Sequence, residues 1–251
     1  MVALATIRLI SMRIDVYLSN SGIVSSRTEA KHFIDEGAVS VNGVMIKKAS
    51  FDVDGSEEIT VDKSIKEFVS RGGVKLKGAI TQFAIDVQGR LCLDVGASSG
   101  GFTDCLLQCG AKHVIAVDSG SGQLAESLRH DDRVTSIEGY NARYMKAEDF
   151  EYTPDLAVMD VSFISATYII PAIFDVLKEG ADFICLIKPQ FEVGRSGLGK
   201  GGIVKDSKVR DSAVKKVLDF ARDIGFETKE IIQSPIRGGD GNIEFLAHFV
   251  K

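Results

Sequence analysis

The segment Leu91-Cys92-Leu93-Asp94-Val95-Gly96-Ala97-Ser98-Ser99-Gly100-Gly101-Phe102-Thr103 reads as a strand, a glycine turn and the start of a helix. Open α/β sheets bind nucleotides in this layout. A dinucleotide site would require G-x-G-x-x-G, with a pyrophosphate on the helix N-terminus. Here the second glycine is missing, and Asp94 stands at the strand end, where it would repel a pyrophosphate. A carboxylate there suits a ligand with an ammonium group, such as the methionine end of S-adenosylmethionine. Gly96, Ala97, Ser98, Gly100, Gly101 and Phe102 would complete the cofactor loop. Asp118 ends the next strand about 20 residues on, where an acid can hold ribose hydroxyls.

Two further patterns imitate other chemistries. Gly96-Ala97-Ser98-Ser99-Gly100 matches the G-x-S-x-G elbow of a hydrolase, with a later aspartate and His248 completing the order. That pattern is short, and His248 alternates with Phe245, Ala247 and Phe249 in a terminal strand, so it reads as a structural histidine. Gly194-Arg195-Ser196-Gly197-Leu198-Gly199-Lys200-Gly201 falls one residue short of a P-loop, since Gly201 stands where Ser or Thr must hold magnesium. A flexible substrate lid is the preferred account of those glycines. Cys92, Cys105, Cys109 and Cys185 contain no C-x-x-C pair, so the sequence encodes neither a zinc ribbon nor a disulfide scaffold and requires no metal.

The elements that must position these residues follow from periodicity. From Met12 to Val61 the pattern is a short helix, a turn, a second helix that Ser25 or Ser26 can cap, then brief strands around an Asn42-Gly43 turn. Beyond it, strand candidates at 91–95, 113–118, 134–138, 156–160 and 181–187 alternate with helical patterns that include 165–177 and 207–224. This order predicts a parallel α/β sheet of Rossmann-like type, closed by an antiparallel edge from 228–232 and 244–250. The expected organisation is a small α+β domain over 12–61, a linker over 62–71 and the larger domain over 72–251.

The 251 residues exceed the usual span of one domain, and 45% hydrophobic residues with 26% charged ones suffice for a packed core. The net charge of -5 argues against coating nucleic acid by bulk charge, so any RNA contact must be local. The most apolar stretches are too short to span a bilayer. Met1–Ile10 lacks the plan of a signal peptide, Met12 could be the natural start, and the expected compartment is the cytoplasm.

The segments 13–18, 26–31 and 37–43 resemble the S4 RNA-binding family across nearly its whole length. Arg27 and Lys31 share a helix face, and Arg13, Lys47 and Lys48 could join them to hold phosphates. Asp35, Glu36, Asp52 and Asp54 dilute the patch. By charge alone these cations read equally as a solvated surface; the resemblance implies RNA, recognised by shape rather than by a base code.

The larger domain resembles class I methyltransferases, and the combination resembles the TlyA family, often labelled hemolysin A. Its members pair an S4 domain with an FtsJ-like 2'-O-methyltransferase of ribosomal RNA. The motifs are Ser70–Leu76, the Asp94 loop, Asp160–Ser165, Lys188-Pro189-Gln190-Phe191-Glu192, and Ser234-Pro235 through Gly241–Glu244. The resemblance implies S-adenosylmethionine as cofactor, ribosomal RNA or ribosomal subunits as partner, a catalytic tetrad of Lys75, Asp160, Lys188 and Glu244, and an adenine contact from Asn141. A turn-forming role accounts for Asn141 equally well. Lys188 would contact the 2'-hydroxyl as a base when neutral, helped by burial or by Lys75, or its ammonium would stabilise a developing alkoxide. Asp160 and Glu244 would orient the lysines.

Other acceptors are less well served. Asp160-Val161-Ser162-Phe163 stands where amine-directed enzymes carry Asn/Asp-Pro-Pro-aromatic, and Cys185 lies in an apolar strand where an inert thiol is expected. Two rival classes are a membrane-active hemolysin, which would need a spanning or strongly amphipathic segment, and an RNA-binding protein with an inactive methyltransferase domain.

Overall fold

In a computed structural model, residues 11–62, 68–194 and 197–251 are described. The first ten residues, including the proposed stretch before a Met12 start, the linker core 63–67, and Arg195-Ser196 of the P-loop imitation lie outside them. The chain divides into two compact units, Met1–Lys66 and Glu67–Lys251.

The first unit contains β1 (Met12–Arg13), α1 (Ile14–Asn20), α2 (Arg27–Asp35), β2 (Val39–Val41), β3 (Val44–Met45), β4 (Asp52–Val53) and β5 (Ile59–Val61). Ser26 Oγ accepts from Glu29 N at 3.1 Å and so caps α2. β2 and β3 pair antiparallel around Asn42-Gly43, whose φ values of 49° and 75° are those a tight primed hairpin turn demands. Ile14, Leu18, Ala30, Phe33, Ile34, Val39 and Val53 form this unit's own core.

The second unit runs α3 (Gly72–Gln82), β6 (Leu91–Val95), α4 (Gly101–Gln108), β7 (His113–Val117), α5 (Glu126–Arg129), β8 (Val134–Ile137), β9 (Leu156–Met159), α6 (Ile170–Val176), β10 (Asp182–Ile187), α7 (Pro189–Glu192), α8 (Ser207–Ile224), β11 (Glu227–Gln233) and β12 (Phe245–Val250). One seven-stranded sheet has the order β11-β12-β10-β9-β6-β7-β8, in which β12 alone runs antiparallel to its neighbours. The expected parallel sheet with an antiparallel edge is therefore present. Its central strands β6, β7, β9 and β10 are buried on both faces, as strands covered on both sides require, while the edge strands β8 and β11 are largely exposed. One face packs on Ile170, Ile173, Val217 and Phe226, the other on Leu76, Ile80, Phe102 and Leu106.

The helix expected over 165–177 is instead a short 3-10 turn followed by α6, because Pro171 can enter only the first turn of a helix. Among the described residues no helix is long and apolar enough to cross a membrane.

Candidate functional site

The parallel strands bring their C-terminal ends to one edge of the sheet, and antiparallel β12 begins at that same edge. Ile187 pairs with Phe245, so Lys188 and Glu244, each one residue beyond, are neighbours across the β10–β12 ladder. Asp160 follows β9, its N–H bonded to Val95 O at 3.0 Å. Lys188 Nζ lies 2.5 Å from Asp160 Oδ1 and donates to Ser162 Oγ at 2.7 Å. Lys75, on α3, donates to Glu244 Oε2 at 2.6 Å across 169 residues of sequence, and both are buried. The four residues thus meet as two ion pairs, each lysine with its own carboxylate. A Cβ at Gly238 would stand 2.3 Å from Glu244 Oε1, so only glycine lets that segment close over the pair.

Beside the first pair lies a cavity of about 350 Å³, lined by Gly96, Ser98, Asp118, Asn141, Asp160 and Phe163 among others. Gly96 has φ +85°, and a Cβ there would lie 2.6 Å from Asp160 O, so glycine is needed for the β6 turn to approach the β9 end. Asp118 organises the far wall: its carboxylate accepts from Ser98 N at 2.8 Å and from Gly120 N at 2.7 Å. Asn141 lines the cavity and also caps the next turn, Oδ1 accepting from Arg143 N at 3.1 Å. Ala97, Gly100, Gly101 and Phe102 stand behind the wall, where Ala97 and Phe102 are buried and Gly100 backs onto Leu124 and Leu128.

Asp94 is fully buried next to the lining residues Val95 and Gly96 and does not itself line the cavity. Thr103 Oγ1 donates to its Oδ2 at 2.7 Å, and its Oδ1 has no hydrogen-bond partner among the described residues. Burial pushes this carboxyl up to about 7, against the pull of Thr103 and with a further push from Asp160 and Asp118. The charged residues lining the cavity are the carboxylates Asp118 and Asp160. Such a site disfavours phosphates and suits a ligand carrying a sulfonium and an ammonium.

Three side chains outside the sequence reading contribute. Phe163 is 91% exposed at the cavity mouth, holds φ +63°, and sets its ring 5.2 Å from Phe191. A bulky residue in the left-handed region is an outlier, and such strain clusters at ligand sites. Thr103 supports Asp94, as described. Glu192 is buried and accepts from Ser165 Oγ at 2.6 Å, Ala166 N at 2.7 Å and Lys216 Nζ at 3.2 Å, tying the loop after β9 to α7 and α8. The signal was available for all three: Thr103, Phe163 and Glu192 fall inside quoted motifs, but motif membership alone assigns no contact.

The imitations resolve differently. His248 Nε2 bonds Asp182 Oδ1 at 2.7 Å at the start of β10, whereas Ser98 lies at the opposite strand ends, so no hydrolase triad forms. The described part of the glycine segment is anchored by buried Asn242, which accepts from Val204 N at 2.9 Å and donates to Gly202 O at 3.1 Å.

In the first unit, Arg13 Nε and Arg27 Nη2 donate to buried Asp15 at 2.9 and 2.8 Å. The Arg13 hydrogen bond, with Arg27 and against burial, holds Asp15 down at about 2. Lys31 pairs with Asp35 at 3.4 Å, and Lys47 and Lys48 are exposed. Asp15, which was not among the acids expected to dilute the patch, hydrogen-bonds both of its arginines.

Comparison with known proteins matches this architecture. Residues 68–251 match the FtsJ-like methyltransferase family and residues 12–59 the S4 domain. The chain is 45% identical to Hemolysin A of Brachyspira hyodysenteriae over 95% of this chain and all of that protein. It is 43% identical to the 16S/23S rRNA (cytidine-2'-O)-methyltransferase TlyA of Mycobacterium tuberculosis, covering 93% of this chain and 88% of the relative. A solved hemolysin-type structure from Streptococcus thermophilus superposes with a TM-score of 0.76 at 43% identity, over 97% of this chain and 89% of that one. The chain therefore belongs to the TlyA family, in which an S4 domain precedes an FtsJ-like methyltransferase domain.

Proposed function

We infer that this protein transfers a methyl group from S-adenosylmethionine to a ribose 2'-hydroxyl of ribosomal RNA. The observation that carries the reading is the carboxylate-lined cavity whose Asp160 is paired with Lys188: a cationic cofactor held there would lie beside that lysine. The cofactor supplies an electrophilic methyl on a sulfonium whose leaving thioether needs no proton. Gly96, Ser98, Asp118 and Asn141 would hold it, with Asp94 adding negative charge next to the lining.

The remaining task is positioning and deprotonating a weakly acidic hydroxyl. Lys188 is the residue we assign to the 2'-oxygen. Its ion pair with Asp160 and its hydrogen bond to Ser162 hold the ammonium beside the cavity, which favours stabilising a developing alkoxide over acting as a neutral base. The Lys75–Glu244 pair frames β12 and α3 around it. Phe163 offers an exposed ring on which a splayed base can stack. The S4 unit would hold the RNA, in a ribosomal subunit, through Arg13, Arg27, Lys31, Lys47 and Lys48. The reaction would take place in the cytoplasm.

The decisive experiment is radiolabelled methyl transfer from S-adenosylmethionine to undermethylated ribosomal subunits, followed by mapping of the modified ribose. Label on a 2'-oxygen is the expected result. Absence of transfer to both subunits and to free ribosomal RNA, by protein that still binds the cofactor, would leave only an RNA-binding role.

A further inference from the structure

Helices α3 and α4 pack against one another, and their contact contains a pair of thiols that methyl transfer does not use. Cys105 is buried on α4, and Cys109, four residues on at the helix C-cap, is half-buried. Lys77 of α3 donates from Nζ to Cys109 Sγ at 3.6 Å. The Cys105 side chain stands four residues, one helical turn, before that sulfur on α4. Together with the Lys77 cation it holds the Cys109 thiol well below the ordinary range, at about 6, despite the opposing cost of burial. The same contact pushes Cys105 up, so it keeps its proton. Cys92 and Cys185 are fully buried and pushed up, as inert core thiols are.

We propose that Cys109 and Cys105 form a hydroperoxide-reactive thiol pair, with Cys109 the attacking sulfur, Lys77 its cation and Cys105 the resolving thiol. The Cys109 thiolate attacks one peroxide oxygen, and the O–O bond breaks. Its electron pair leaves on the other oxygen, which takes a proton from water and departs as an alcohol, or as water when the oxidant is hydrogen peroxide. Cys109 is then a sulfenic acid. Cys105 loses its proton and attacks the Cys109 sulfur; the S–S bond forms, and the hydroxide leaves as water with that proton. Two thiols have been oxidised by two electrons, and the peroxide has been reduced by two.

Side chains four apart on a helix stand about 5–6 Å between Cβ atoms, and a disulfide needs about 3.5–4.5 Å. The required closure falls at the C-cap, where Gly110 follows at φ +91° and no further helical turn must be carried along. Thr103, which supports Asp94, stands at the other end of this same helix.

The test treats the full chain with hydrogen peroxide at pH 7 and follows intact mass and thiol content. The native protein should lose about 2 Da, as a disulfide requires. Cys105→Ala should stop at a dimedone-reactive sulfenic acid on Cys109. Cys109→Ser should consume peroxide at least about tenfold more slowly, and Lys77→Met, which keeps both sulfurs, should slow the first step about tenfold and move its pH midpoint upward. Thermal melts confirm that each variant is folded, with Cys109→Ala in reserve. A Cys109→Ser protein that reacts like the native one, a Lys77→Met protein with an unchanged pH profile, or native protein that accumulates sulfenic acid without the mass loss would each overturn the proposal.

Discussion

The two lysine–carboxylate pairs are alike in composition and opposite in setting. Lys75–Glu244 is closed, its side chains 9% and 3% exposed, with Gly238 sealing it. Lys188–Asp160 has a lysine nearly as buried, at 11%, but its carboxylate is 20% exposed and lines the cavity. A closed pair has no room for a substrate oxygen, so its strong geometry serves to fix β12 against α3. An open pair can exchange part of its partner's field for a ligand. A tetrad that reads as four equivalent residues in the sequence is two ion pairs in the structure, and the proposed function makes one a frame and the other the reacting pair.

That division is most exposed to test at Lys188. Lys188→Ala should lower methyl transfer about a thousandfold, at the upper end of the range for loss of one preorganised donor to a developing oxyanion. Cofactor affinity and thermal stability should change little; a large loss of stability would mean that this pair, too, is a frame. Lys75→Met alone should cost about 3–5 kcal/mol, because it strands Glu244 as a buried charge. The double variant Lys75→Met/Glu244→Leu should recover most of that stability in denaturant melts. Full methyl transfer by a stable double variant would remove Lys75 and Glu244 from the machinery altogether.

How much of this was legible in the sequence follows from the range of each signal. Local periodicity placed β6 and α8 at their observed bounds, and the strand–loop–helix pattern predicted a loop at the edge where ligands bind. Helix α3 was invisible, since Gly72, Gly73 and Gly78 oppose helix formation. They are there because packing overrides propensity: a Cβ at Gly73 would strike Phe68, and one at Gly78 would strike Pro235. The tetrad's membership came from resemblance. Its partition into pairs required knowing that β12 turns back beside β10, which depends on contacts across the whole domain. Asp94 was legible as an acid at a strand end. Its burial next to the cavity lining was not, because it depends on Thr103 covering it.

Asp94 gives the comparison a third term, a carboxylate paired with no cation among the described residues. Its folded value of about 7 lies above the ordinary one, so the folded state holds its proton more tightly. Stability from this group is therefore full below about pH 4 and falls, by a few kcal/mol, as pH rises toward about 7, with no further change above. Asp94→Asn should flatten that slope in thermal melts from pH 4.5 to 8, and saturating S-adenosylmethionine should flatten it in the native protein by supplying the missing cation. A slope identical in native and variant proteins would show that Asp94 is not the group responsible.

The smallest effect is expected in the first unit, where Asp15 has the reverse sign. Held at about 2 by arginines that are themselves 49% and 59% exposed, it contributes stability that is present above about pH 4 and lost as pH falls toward 2. Solvent screening of both partners limits Asp15→Asn to about 1 kcal/mol at neutral pH. The informative readout is RNA affinity against salt. If Arg13 and Arg27 face phosphates, Arg27→Ala weakens binding and lowers the slope of log affinity against log salt by about one, whereas Asp15→Asn, which releases both cations, leaves the slope intact. An equal loss of affinity in the two variants would mean that the clamped geometry, rather than free positive charge, is what the RNA reads, and this unit would then depend on a fixed ion pair much as the closed Lys75–Glu244 frame does.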